Sequence, residues 1–268
     1  MASFKKYCVT GKFKLANIDP AAVPFLKGDE EAQREELEAL AVRLDDLQNK
    51  LHAEGRRKLL LVLQGLDTSG KDGTIRWVFS RTSPLGVRVK AFKVPSDDER
   101  AHDFLWRCHA AVPAAGEIAI WNRSHYEDVL VPVVEGLIDK AETRRRYAQI
   151  SDFERLLTET GTVVIKCMLH ISKDEQRKRL QARIDQPDKR WKFQMDDLSV
   201  RKKWSDYERA YEKALAATST DYAPWHVVPA DSKLNRNLMV ANLIVKTLED
   251  MKLTLPPASP ALNHLVVQ

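Results

Sequence analysis

Leu59-Leu60-Leu61-Val62-Leu63 runs directly into Gln64-Gly65-Leu66-Asp67-Thr68-Ser69-Gly70-Lys71-Asp72-Gly73-Thr74. Five apolar residues without polar alternation fit a strand buried on both faces, as in a parallel sheet. Gly65, four further residues and Gly70-Lys71 have the spacing of a phosphate-binding loop, and helical sequence over 72–79 follows. Each residue type has a physical purpose there. Glycines let successive backbone N–H groups curl around a phosphate, and the helix start adds its partial positive charge. Lys71 brings a point charge to the phosphoryl oxygens. Gly65, Ser69, Gly70, Lys71, Asp72, Gly73 and Thr74 are therefore candidate phosphate-binding residues. The usual loop carries Ser or Thr after the lysine to hold Mg²⁺, and this chain has Asp72; that carboxylate, or Asp67, offers hard oxygen instead. A strand-to-helix turn that merely needs glycine is the plainer alternative, disfavoured because strand, loop and helix stand in the right order.

Working outward, apolar runs at 87–94, 117–121, 162–169 and 225–228 resemble the first strand. Helical stretches at 97–111, 140–158, 173–184, 198–217 and 235–251 separate or follow them. Strands alternating with helices imply βαβ units, right-handed crossovers and a three-layer α/β/α fold with a parallel sheet. Ahead of them, Leu37, Leu40, Leu44, Leu47 and Leu51 form the stripe of an amphipathic helix, with Gly55 as its C-cap. The chain reads as one domain. It has an N-terminal arm and helix over 1–55, the arm packed on the surface, a core from 56 and a C-terminal tail at 255–268.

The 268 residues, with 44% hydrophobic and 30% charged, exclude a disordered or fibrous chain. No apolar run approaches a membrane span, and the start lacks a secretory core, so a cytoplasmic protein is expected. Cys8, Cys108 and Cys167 are too few and too scattered for a disulfide framework or zinc site. Cys108, Cys167, His102, His109 and His170 read as structural, and Trp77, Trp106, Trp204 and Trp225 as core or its edge. A net charge of +5 suits a polyanionic partner without naming one.

The strand at 117–121 ends in Asn122-Arg123-Ser124-His125-Tyr126-Glu127-Asp128. Ligands of open α/β sheets lie beyond the carboxyl ends of strands, so this cluster should face the phosphate loop. Arg123 suits phosphate neutralisation, and Glu127 or Asp128 suits Mg²⁺ or the orientation of a phosphate nucleophile; alone, such a cluster would be a solvated loop. Further on, Arg179 and Arg183 share a helical face, and Gln186-Pro187-Asp188 breaks the helix before Lys189-Arg190-Trp191-Lys192. Two helices joined by a basic turn over about 173–210 have the form of a lid closing on phosphates. A solvated basic face is the competing reading. A nucleic-acid patch is disfavoured by the interspersed Asp174, Glu175, Asp185, Asp188, Asp196 and Asp197.

Gly65-Leu66-Asp67-Thr68-Ser69-Gly70-Lys71-Asp72-Gly73 resembles the G-x-D-x-x-G-K-x-G loop of the polyphosphate kinase 2 family. The 122–128 segment is similar to that family's Walker B region, and 189–192 to part of its lid, over a likeness running from about Tyr7 to Met251. The resemblance implies a thymidylate-kinase-like P-loop fold with a helical lid. It also implies Mg²⁺-dependent (or Mn²⁺-dependent) reversible transfer between inorganic polyphosphate and AMP, ADP or ATP, in a homodimer or homotetramer; the interspersed acids and the short apolar runs leave neither nucleic acid nor membrane as an expected partner. By position, Asp67, Lys71, Arg123 and Glu127 become catalytic candidates, and Arg179, Arg183, Lys189, Arg190 and Lys192 the lid cations. Much of the family has Asp where this chain has Asn122, which moves the metal expectation to Asp67, with Asp128 second. The Asn-Arg-Ser-His-Tyr-Glu-Asp form is similar to class III, which phosphorylates both AMP and ADP. An ATP-dependent nucleoside or nucleotide kinase, and a non-catalytic polyphosphate- or nucleotide-binding module, are the alternatives.

Overall fold

A computed structural model describes residues 4–260; the end of the anticipated tail, 261–268, lies outside the described residues. Strands β1 (Lys58–Gln64), β2 (Val87–Ala91), β3 (Ile118–Asn122), β4 (Thr162–His170) and β5 (Trp225–Pro229) form one sheet. Its order is β2-β3-β1-β4-β5, with every neighbouring pair parallel. The apolar run thus became the central strand: Leu59 to Leu63 are wholly buried because sheet lies on both edges and helices on both faces.

The helices are α1 (Glu30–Glu54), α2 (Lys71–Val78), α3 (Asp97–Ala101), α4 (Trp106–His109), α5 (Glu127–Val134), α6 (Lys140–Glu159), α7 (Lys173–Asp185), α8 (Asp196–Lys202), α9 (Trp204–Thr218) and α10 (Lys233–Asp250). From β1 the chain winds one way to β2, and from β3 it winds the other way to β4. Right-handed crossovers therefore put α2 on one face and α5, α6 and α9 on the other. Helices α1, α2 and α10 pack together, as do α5, α6 and α9, giving the three expected layers. The leucine stripe of α1 is intramolecular, packed on α10, with Leu37, Leu44, Leu47 and Leu51 buried. Asp29 accepts from Ala32 N–H at its start, and Gly55 closes it at φ 62°.

Some expectations need correction. The helix anticipated over 97–111 is two short helices, because His102 is extended and the Asp103 carboxylate accepts from Leu105 N–H instead. The 198–217 helix divides at Lys203 into α8 and α9, and the 87–94 strand stops at Ala91. The N-terminal arm is more than a surface strap. Tyr7, Val9, Leu15, Ile18 and Phe25 are buried, and Val9 N–H donates to Trp225 O at 2.8 Å along the β5 edge. Trp204 and Trp225 join the core, whereas Trp77 and Trp106 are exposed. Cys108 and Cys167 are buried, and burial pushes both thiols up to about 12.

Candidate active site

The loop between β1 and α2 is shaped by its two outer glycines. Gly65 has φ 148°, and a Cβ there would stand 2.7 Å from Leu169 O; Gly70 has φ 104°. Thr68 holds a left-handed φ of 64° without being glycine, a local strain of the kind that collects at functional sites. Lys71 opens α2, is buried, and folds back so that Nζ donates to Gly65 O at 2.7 Å. Burial draws its ammonium below the ordinary lysine value and Arg123 adds to that, against the opposing pull of Asp67, Glu127 and Asp72.

The end of β3 lies beside the end of β1, with Leu63 in register with Asn122. Arg123 follows at φ 62°, its N–H donating to Leu63 O at 3.0 Å. That turn aims the guanidinium at the loop, where Nη2 donates to Asp67 Oδ1 at 2.8 Å. Burial opposes its charge, but Glu127 and Asp67 outweigh burial and hold it above the ordinary arginine value. Asn122 Nδ2 donates to Asp72 Oδ1 at 2.5 Å, and Gln64 Nε2 to Glu127 Oε1 at 3.1 Å. Asp67, Lys71, Asp72, Arg123 and Glu127 are therefore gathered at one end of the two strands. Asp128 is not among them: it faces Arg107 at 3.4 Å and lines a separate cavity with Phe104 and Arg146. Its carboxyl is pushed up by burial.

The lid cations divide. Arg179 reaches the loop from behind, donating to Thr68 O at 3.0 Å and pairing with Glu175 at 2.9 Å. Arg183 contacts Asp197 at 3.4 Å and Lys192 O at 3.1 Å. Arg190 ties the turn internally through Ile184 O at 2.8 Å. Lys192 stands 4.9 Å over the exposed Trp191 ring, and Lys189 lies on the same exposed turn.

Other residues complete the site and were not singled out from sequence. Tyr207 and Tyr211, one turn apart on α9, approach Glu127, Asp67 and Arg123; burial raises both hydroxyls, Tyr207 to about 12. Their i,i+4 spacing was the available signal. The Asp197 carboxyl is pushed up by burial and by the nearby Asp67. Gln64 was the polar exception ending an apolar run. Gln176 Nε2 donates to Asp67 O at 3.2 Å, and Arg236 Nη1 donates to Ser69 O at 3.2 Å.

Four buried side-chain oxygens around the loop lack partners: Gln64 Oε1, Thr68 Oγ1, Ser69 Oγ and Thr74 Oγ1. Buried oxygens are seldom left so, and these four are polar atoms that a group bound at the loop would meet. Among the described residues no cluster of three or more His, Cys, Asp or Glu could enclose a metal alone. The donor set instead fits Mg²⁺ shared with phosphate: one or two carboxylates, chiefly Asp67, with substrate oxygens and water for the remainder. Cations and loop amides on one side and carboxylates on the other suit phosphoryl transfer between two anionic substrates.

Comparison with known proteins agrees with this geometry. The family model for polyphosphate kinase 2 matches residues 27–256. The chain is 48% identical over 266 residues to an AMP/ADP-polyphosphate phosphotransferase of Meiothermus ruber, covering 98% of this chain and 100% of that one. It is 43% identical over 257 residues to an ADP-polyphosphate phosphotransferase of Rhodopseudomonas palustris, covering 91% and 89%. In three dimensions it is similar to a crystal structure of polyphosphate kinase 2 from Arthrobacter aurescens. There the TM-score is 0.93 at 46% identity, with 96% of this chain and 93% of the other covered.

Proposed function

The chain belongs to the polyphosphate kinase 2 family, and from that membership we propose that it moves a phosphoryl group reversibly from inorganic polyphosphate to ADP, forming ATP, and to AMP, forming ADP. The observation that carries the reading is the gathering of Lys71, Arg123, Asp67 and Glu127 around a loop with four unpartnered buried oxygens. An AMP/ADP-polyphosphate phosphotransferase as a full-length relative supports the dual acceptor.

The acceptor's terminal phosphate oxygen attacks the terminal phosphorus of the chain in line, and the shortened polyphosphate leaves. Phosphate nucleophiles are already ionised near neutral pH, so the protein's task is positioning and charge neutralisation rather than proton removal. The amides of Gly65 to Lys71 cradle the phosphate. Lys71 releases Gly65 O to reach the transferred group, and Arg123 releases Asp67 to neutralise charge as it develops. Asp67, freed in the same exchange, is the residue that would hold Mg²⁺ or Mn²⁺, which when bound neutralises the phosphate oxygens. Glu127, held by Gln64, orients the acceptor side. Arg183, Lys189, Arg190 and Lys192 close over the chain as a lid, with Tyr207 and Tyr211 keeping water out. No helix of the described residues is long and apolar enough to cross a membrane; we place the enzyme in the cytoplasm, as a homodimer or homotetramer.

The test is a timed product assay with Mg²⁺, long-chain polyphosphate and either AMP or ADP, on wild type and Lys71→Met. Wild type forms ADP and then ATP from AMP, and the variant, still folded by circular dichroism, loses on the order of a hundredfold or more in rate. A folded variant with full activity overturns the assignment. Turnover with ATP plus AMP but none with polyphosphate makes the protein a nucleotide kinase instead.

A further inference from the structure

The carbonyls of the phosphate loop that point away from the cradle are gripped by two guanidinium groups. Arg179 donates to Thr68 O at 3.0 Å and to Ser69 O at 3.4 Å, and Arg236 of α10 donates to Ser69 O at 3.2 Å. The two cations are not equivalent. Arg179 has Glu175 beside it. Arg236 is only 2% exposed, and its Nε and Nη2 donate to the neutral Asn237 Oδ1 at 3.2 and 2.9 Å. Burial, with repulsion from Arg179 behind it, draws the Arg236 guanidinium down to about 9, and no carboxylate among the described residues counters them.

The loop is built to admit this group. A Cβ at Gly70 would collide with the Arg236 guanidinium, and one at Gly73 would stand 3.2 Å from its Nη2. These two glycines therefore serve a cation behind the loop as well as a phosphate in front of it. A buried cation without a counter-charge is unfavourable unless something else compensates it. Bound to Ser69 O, it also polarises the following peptide so that the Gly70 N–H becomes a stronger donor.

We propose that Arg236 is a positioning residue that charges the phosphate loop from behind, its missing counter-ion being the phosphate chain of the donor. The inference rests on the reading that this loop binds the polyphosphate. It assigns Arg236 no contact with substrate; it acts through Ser69 and Gly70.

Arg236→Gln keeps a donor for Ser69 O without the charge, and Arg236→Lys keeps the charge without the fork. Steady-state kinetics with polyphosphate and thermal melts with and without tripolyphosphate are measured on both variants and wild type. In the Gln variant KM for polyphosphate rises by roughly tenfold or more while kcat stays within about threefold. Its ligand-free melting temperature does not fall, and the rise caused by tripolyphosphate shrinks. The Lys variant recovers most of both losses. A Gln variant with KM within about twofold of wild type, or failure of both variants to fold, makes Arg236 a purely structural residue and overturns the proposal. Wild type without polyphosphate-dependent turnover would fail the underlying reading, whereas active wild type beside an unchanged Gln variant fails this inference alone.

Discussion

Lys166 and Glu154 are both wholly buried, 2.6 Å apart. The lysine's three donors are all used, on Glu154 Oε2 at 2.6 Å, Thr218 O at 2.8 Å and the Tyr126 hydroxyl at 2.9 Å. Tyr126 donates to Glu154 Oε1 at 2.8 Å, and His125 Nε2 lies 3.3 Å from the same oxygen. Burial alone would raise the Glu154 carboxyl, but Lys166 and His125 hold it below the usual range. This dry network anchors the two residues just before Glu127, so the active-site segment is pinned from beneath. Removing one member strands a buried charge, so Lys166→Met should cost about 3–5 kcal/mol in urea unfolding. Adding Glu154→Leu should return at least about 1 kcal/mol of that; equal values for single and double variants would put the cost in shape rather than charge. His226 gives a pH effect of known sign. Burial lowers its ring to about 4 from an ordinary 6.5. The folded state thus refuses a proton that the unfolded chain takes, and stability present above pH 6.5 is lost as pH falls toward 4, by up to about 3 kcal/mol. His226→Gln should therefore lose less stability than wild type between pH 7 and pH 4.5 in parallel urea titrations.

Elements show which patterns can be read locally. Helix α1 was legible because its stripe and its Gly55 stop agree, and the structure adds Asp29 as its N-cap. Its role is packing, so Leu44→Ala, at a wholly buried position of α1, the helix that packs on α10, should cost about 2–5 kcal/mol in urea unfolding and leave kcat unchanged. A fall in kcat without a stability loss would show that α1 reaches the active site. Helix α5 was missed, since Pro132 inside it reads as a breaker. Pro132 has no N–H for the Asp128 carbonyl one turn back, and Arg146 Nη1 takes that carbonyl at 2.9 Å instead. Compensation of that kind comes from a distant element, beyond any local window. The breaks at His102 and Lys203 differ. Asp103 ahead of Leu105 is a readable turn signal, whereas Lys203 pairs with Glu135 at the end of α5, a contact no local pattern shows.

At the scale of the molecule, the phosphate loop and the polar end of β3 were legible because each sits within a few residues of its strand. What sequence could not bring together was their surroundings. Tyr207, Tyr211, Asp197 and Arg236 arrive from helices more than a hundred residues downstream of the phosphate loop and look like ordinary helical residues until the fold places them. The same division governs the charge. The cations at the loop, Lys71, Arg179 and Arg236, are buried or nearly so and poorly screened by salt, whereas Lys189, Arg190 and Lys192 stand in solvent on the lid turn. On the proposed reading a short donor would sit at the loop, in front of that buried set, while a long one would extend past it to the exposed lid turn. Raising KCl from about 50 to about 500 mM shortens the Debye length from roughly 14 Å to roughly 4 Å, which weakens the exposed contacts first. KM for long-chain polyphosphate should therefore climb with salt more steeply than KM for tripolyphosphate. Replacing Lys189 and Lys192 by Gln should bring the long-chain slope down to the tripolyphosphate one. Equal slopes in wild type would mean that the chain leaves the site in another direction, and that the overall charge of +5 guides the donor without gripping its length.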